Sequence, residues 1–173
     1  MPQTAKSLDA RIRTIKVLIV DDEHYSRKVI RTLLLAIGVK IIHEAANGNE
    51  GLDAICTYAP DIVIVDWQMP GLDGGEFVRC VRSPDVFPMP DVPIIMLTGH
   101  GERSRVIEAV RLGVHEFLLK PVSSSALQAR IVAILANPRP MVRRGLYYGP
   151  EPRRTSSYKP EMDSGFSEMM IIN

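Results

Sequence analysis

Five short apolar runs alternate with five helical periodicities, and this predicts an α/β protein: a doubly wound parallel sheet with helices on both faces. Two further observations narrow the class. Most of the runs are rich in β-branched residues and nearly continuous in hydrophobicity, as strands buried on both faces are. Four of them also end in charged or hydroxyl residues, at the carboxyl ends where such sheets place their sites.

The elements follow in order. Val17-Leu18-Ile19-Val20 is the first strand, and Val29, Ile30, Leu33, Leu34 and Ile37 then repeat at helical spacing until Gly38 supplies a stop. Lys40 to Glu44 is the second strand, followed by a helix through Leu52, Ile55, Cys56 and Ala59 that Pro60 ends. Ile62 to Val65 precedes a third helix through Phe77, Val78 and Val81. Ser83 to Pro93, with four prolines, reads as a rigid loop before the strand Ile94 to Leu97. Val106, Ile107 and Val110 make a weaker fourth helix, and Phe117-Leu118-Leu119 the fifth strand. Leu127, Ile131, Ile134 and Leu135 make the fifth helix, with Ser123-Ser124-Ser125 as capping candidates.

Composition limits the alternatives. The chain has 173 residues, 46% of them hydrophobic and 24% charged, so whole-chain disorder is excluded, and a net charge of +1 implies no bulk attraction to polyanions. No apolar run approaches the ~20 residues of a membrane span, and Met1 to Lys16 lacks the apolar core of a secretory signal, so a cytoplasmic protein is expected. Cys56 and Cys80, without CxxC spacing or paired histidines, argue against a disulfide framework and a zinc site. Both fall among the apolar positions of their helices and are expected to be buried thiols. Charge divides the chain: residues 1–15 carry +2, residues 16–136 carry −3 and residues 137–173 carry +2. The expected organisation is a leader over 1–15, one domain over 16–136, and a proline-rich, largely irregular tail over 137–173 with no effector domain.

The strand ends supply the chemistry. The first strand runs into Asp21-Asp22-Glu23, the third into Asp66-Trp67-Gln68-Met69-Pro70-Gly71, the fourth into Thr98-Gly99-His100 and the fifth into Lys120-Pro121. If the first and third strands are neighbours, Asp21, Asp22 and Asp66 converge and repel, and a hard cation such as Mg²⁺ relieves the conflict. A lysine and a hydroxyl facing the same point suit a phosphoryl group. The chemistry is that of a metal-dependent phosphoryl site with an aspartate nucleophile.

These four blocks, in order and separated by helix-sized gaps, resemble a two-component response-regulator receiver domain, over about residues 16–136. The resemblance implies a flavodoxin-like fold with strand order 2-1-3-4-5. It implies that Asp66 accepts a phosphoryl group from a phosphohistidine on a histidine kinase or histidine phosphotransfer protein. Asp22, Asp66 and the Gln68 backbone carbonyl would hold Mg²⁺, with Asp21 acting through water. Thr98 and Lys120 would hold the phosphoryl oxygens, Phe117 would be a switch aromatic, and Lys120-Pro121 would be cis. Gly99 matches a small-residue position that keeps the site open, while Trp67, His100 and Pro121 lie near it. The reshaped face would be made by the helix around Val106 to Val110, the strand Phe117 to Leu119 and the helix Leu127 to Leu135. That face would serve a downstream protein partner or a homodimer. The chain would be a phosphoacceptor switch, not an enzyme beyond self-phosphorylation and self-dephosphorylation.

Other readings fit these residues less well. An aspartyl-nucleophile phosphatase normally has a second aspartate two residues after the first, where Gln68 stands. A phosphorylation-independent binding module of the same fold would typically have lost an acidic, Thr or Lys position, and none is lost here. Phe117 is equally well explained as plain core. His24, His43, His100 and His115 lack ligand spacing, and Asp73-Gly74-Gly75 reads as a turn and helix start. In the tail, Arg143-Arg144, Tyr147-Tyr148 and Arg153-Arg154 mix basic and aromatic residues, but nearby acids make nucleic-acid binding a weak inference. The tyrosines are expected to pack on the domain or a partner, and Met169-Met170-Ile171-Ile172 is an exposed apolar cluster unless docked.

Overall fold

The computed structural model describes residues 5–99 and 103–153. In chain order the elements are α1 (Ala5–Thr14), β1 (Lys16–Val20), α2 (His24–Ile37), β2 (Ile41–Ala45), α3 (Gly48–Tyr58), β3 (Ile62–Asp66) and α4 (Gly74–Val81). They continue with β4 (Ile94–Thr98), α5 (Arg103–Leu112), β5 (Glu116–Leu119), α6 (Ser124–Ala136), β6 (Met141–Arg144) and β7 (Tyr147–Pro150). The five-stranded sheet is parallel in the order β2-β1-β3-β4-β5, as the sequence predicts.

Strand alternation divides the apolar residues between two layers. Leu18, Val20, Val63, Val65, Ile94 and Met96 face α3 and α4, where Ile55, Phe77 and Val78 complete one core. Val17, Ile19, Ile62, Ile64, Ile95 and Leu97 face the other way, against Ile30 and Leu34 of α2 and Leu127 and Ile131 of α6. Both faces of β1, β3 and β4 are therefore buried, which explains their continuous hydrophobic runs.

The helix signals act as expected. Gly38 caps α2 in the left-handed conformation (φ 111°), its N–H donating to the Leu34 and Leu35 carbonyls. The Ser123 side chain accepts from the Ala126 N–H at 3.1 Å to open α6. Asp73 and Glu76 form a reciprocal capping box at the start of α4. Ser83 to Pro93 forms turns without helix or strand.

Two expectations need correction, those for the tail and for the cysteines, and the leader carries an element that the sequence left unspecified. The leader forms α1, whose Ile12 is buried with Leu8 packed nearby, and whose Arg11 donates to the Leu135 carbonyl at 2.8 Å. Leu8, Ile12 and Ile15 are spaced as one helix face, so the pattern was present in a segment too short to stand out. The tail is not largely irregular over its described part, because β6 and β7 pair as an antiparallel hairpin. Gly145 (φ 59°) opens its two-residue turn, and Pro138, Pro140 and Pro150 flank or end the strands, where a two-stranded ribbon tolerates them. Residues 154–173, with the Met169 to Ile172 cluster, lie outside the described residues. Finally, Cys56 and Cys80 are exposed. The buried face of α3 is Gly51, Ala54 and Ile55, and that of α4 is Phe77, Val78 and Val81. Each cysteine sits roughly a third of a turn away from that face.

Candidate functional site

Neighbouring β1 and β3 bring their carboxyl ends together. The register Val20↔Val65 puts Asp21 beside Asp66, and β4 follows with Asp66↔Leu97. Asp21 is almost fully buried, Asp66 is 8% exposed and Asp22 is exposed. Carboxylate oxygens of all three lie within 4.8 Å of one another. The local backbone is held firmly. The Asp21 N–H donates to Ala45 O at 3.2 Å, its Oδ1 accepts from the Glu23 N–H at 2.9 Å, and Arg27 donates to its carbonyl at 2.7 Å. Behind Asp66, Gly74 permits α4 to start against the strand: a Cβ there would lie 2.5 Å from Asp66 O.

Lys120 completes the cluster from the end of β5. Its N–H donates to Thr98 O at 2.8 Å, fixing the two strand ends together, and the Lys120–Pro121 bond is cis. Its Nζ lies 3.2 Å from Asp66 Oδ2 and 3.5 Å from Asp21 Oδ2, and donates to Ser26 Oγ at 3.2 Å. Thr98 is buried at the end of β4. Phe117 is half-buried against the α3–α4 core and pairs with Met96 across the ladder. Gly99 is exposed, and a Cβ there would meet nothing within 4 Å, so this side of the site is open without a contact that demands glycine. His100 lies outside the described residues.

Burial is the main cause that raises the Asp66 pKa above the ordinary carboxylate value, and the charges of Asp21 and Asp22 add to it while Lys120 opposes. A desolvated carboxylate beside two others, with one lysine as partial compensation, fits a hard cation: three oxygen ligands converge on an open face. The residues present could therefore hold a metal ion. They also place a lysine where it can neutralise further negative charge on Asp66.

Sequence reasoning missed three side chains here. Ser26, one helical turn after Asp22, anchors the lysine; Arg27 clamps the Asp21 carbonyl and pairs with Glu44 at 3.4 Å. Their i+4 and i+5 spacing from Asp22 at the start of α2 was the available signal. Arg105 of α5 lies over the Trp67 ring, 5.0 Å from its centroid. The two border a shallow groove of about 350 Å³ shared with Gln68, Met69, Pro70 and Asp73.

Comparison with known proteins agrees with this geometry. A family model described as the response regulator receiver domain matches residues 17–132. A probable transcriptional regulator, ycf27, of Guillardia theta is 42% identical over 120 residues, covering 69% of this chain and 45% of that protein. The chemotaxis protein CheY of Pseudomonas aeruginosa is 32% identical over 120 residues, covering 69% of this chain and 95% of the relative. The chain thus spans about half the length of that transcriptional regulator and nearly all of the chemotaxis protein. The crystal structure of a putative response regulator from Chloroflexus aurantiacus superposes with a TM-score of 0.65 at 33% identity, covering 71% of this chain and 98% of that one. Among the described residues no helix is long and apolar enough to cross a membrane. With the sheet order, the acidic cluster and the family match in agreement, the chain belongs to the response-regulator receiver domain family.

Proposed function

We propose that this protein is a phosphorylation switch of a two-component phosphorelay in the cytoplasm, with Asp66 as its phosphoacceptor. The observation that carries the reading is the convergence of Asp21, Asp22 and Asp66 within 4.8 Å, with Lys120 Nζ 3.2 Å from Asp66 Oδ2. Asp22, Asp66 and the Gln68 backbone carbonyl would hold Mg²⁺, with Asp21 beside them. When bound, the ion neutralises the carboxylates and the charge of the transferring phosphoryl group.

The donor is a phosphohistidine on a histidine kinase or histidine phosphotransfer protein. An Asp66 carboxylate oxygen attacks phosphorus, forming the O–P bond as the N–P bond breaks and the imidazole leaves with its electron pair, to be protonated. Lys120 leaves its pairing with Asp66 for a phosphoryl oxygen, and Thr98 donates to another. Turning of Thr98 and Phe117 then biases two arrangements of the face formed by α5, β5 and α6, to which a downstream protein or a second copy binds. The chain's own chemistry is limited to taking up and losing this one phosphoryl group.

Incubation with Mg²⁺ and acetyl phosphate tests the reading by intact mass. One phosphoryl group should be gained, with Mg²⁺ required and Asp66→Ala inert. An unchanged mass in folded protein would favour the alternative, a receiver-fold binding module that works without phosphorylation.

A further inference from the structure

The β6–β7 hairpin lies outside the stretch the family model matches, yet it is fastened to the helix that follows Thr98. That helix, α5, is lightly held: among its described side chains only Ala109 is fully buried, and the elements it meets most are α4 and β7. The hairpin meets it backbone to backbone. Gly113 ends α5 at φ 93°, and a Cβ there would collide with the Tyr148 carbonyl oxygen. A Cβ on Gly149 would lie 2.7 Å from Gly113 Cα.

Polar fastenings surround this contact. Buried Arg82 donates from Nε to Gly113 O at 2.9 Å and from Nη1 to Pro90 O at 2.6 Å. The Tyr148 hydroxyl donates to Asp91, and Arg143 pairs with Asp85 at 2.9 Å, so the hairpin is tied to the loop after α4 as well. Near the opposite end of α5, Arg105 stacks over Trp67, next to Asp66 in the chain. One lightly buried helix therefore joins the phosphoacceptor loop to the hairpin.

We propose that the hairpin is an intramolecular strap on α5. It holds the arrangement seen here, with Lys120 paired to Asp66, against the one that a phosphoryl group selects. The inference rests on the phosphoacceptor reading and adds a regulatory element to it. An element that docks in one state lowers the affinity of any ligand that selects the other, and the coupling is reciprocal. A loosened strap therefore tightens binding of a phosphoryl mimic, and the mimic in turn loosens the strap.

The test is a beryllium fluoride titration of the full chain in Mg²⁺, read by Trp67 fluorescence, for wild type, Gly149→Ala and Tyr148→Phe. Gly149→Ala wedges the contact from the hairpin side, and Tyr148→Phe removes only the Asp91 bond, which keeps the test alive if the first variant folds poorly. Half-saturation should fall about fivefold or more in a loosened variant, the lower end of typical coupling. In wild type, amide exchange over residues 141–150 should quicken when the mimic is bound. Unchanged or raised half-saturation in folded variants, with unchanged exchange, would overturn the strap while leaving the phosphoacceptor intact. A wild-type protein with no Mg²⁺-dependent response at all would overturn both, and that outcome is read before any variant is compared.

Discussion

Asp66 sits where an ionised carboxyl is costly, behind a mostly buried strand end and beside two other acids. Its pKa is raised from 3.8 chiefly by burial, so the folded state holds the proton more tightly than the unfolded chain. The cost of ionisation is absent well below 3.8 and grows as pH rises from there through the folded pKa. Asp66→Asn should accordingly melt higher than wild type at pH 7 in chelator. Each 1 kcal/mol recovered is worth about 2–4 °C, and the gap should close as pH falls towards 3.8. A wild type that melts higher than the variant at pH 7 would contradict this. His115 behaves differently: burial, then Arg82 and Arg139, push its pKa down to about 3. Between about 3 and the ordinary histidine value of 6.5 the unfolded chain takes up a proton that the folded one refuses, so stability falls as pH drops below 6.5. The loss should approach about 1.4 kcal/mol per pH unit from this one group. Urea midpoints at pH 7 and 5 should show a shallower decline for His115→Asn than for wild type.

At the scale of elements, the five βα units were legible because β-branched runs and helical repeats differ in period, and because each helix stop or cap was a recognisable residue: Gly38, Asp73, Ser123. The segments at either end were harder to read. α1 carries only two large apolar residues, Leu8 and Ile12, with Ile15 just beyond it, and prolines that read as breakers frame a hairpin. The acidic cluster and Lys120 were legible from strand ends and Ser26 only from its spacing after Asp22, whereas Arg105 acts through a contact that spacing does not reveal. The cysteines were misread because one helix position separates the buried face from the exposed one, and Ile55 is buried while Cys56 is not. Ile12→Ala tests whether α1 is integral. A side chain 2% exposed in the core beneath the sheet should cost about 2–5 kcal/mol on truncation, seen as a lower urea midpoint. A loosely attached leader would show no loss.

For the whole molecule, the carboxylates that burden the fold are the ones that, on the proposed reading, would hold the metal ion and carry the switch. A cation that binds only the folded cluster stabilises it by mass action, by about 2.7 kcal/mol at one hundred times its dissociation constant. Mg²⁺ should raise the melting temperature of wild type reversibly, chelator should undo it, and Asp66→Ala should lose most of the effect. The central claim, that Asp66 is a phosphoacceptor whose state the molecule senses, is read most directly through Trp67. It is the single tryptophan, buried at 5% exposure next to Asp66 and stacked under Arg105. Titration of beryllium fluoride in Mg²⁺ should give a saturable change in its fluorescence that is absent without Mg²⁺ and absent in Asp66→Ala. A folded wild type whose fluorescence stays flat, or an Asp66→Ala protein that responds equally, would contradict the account.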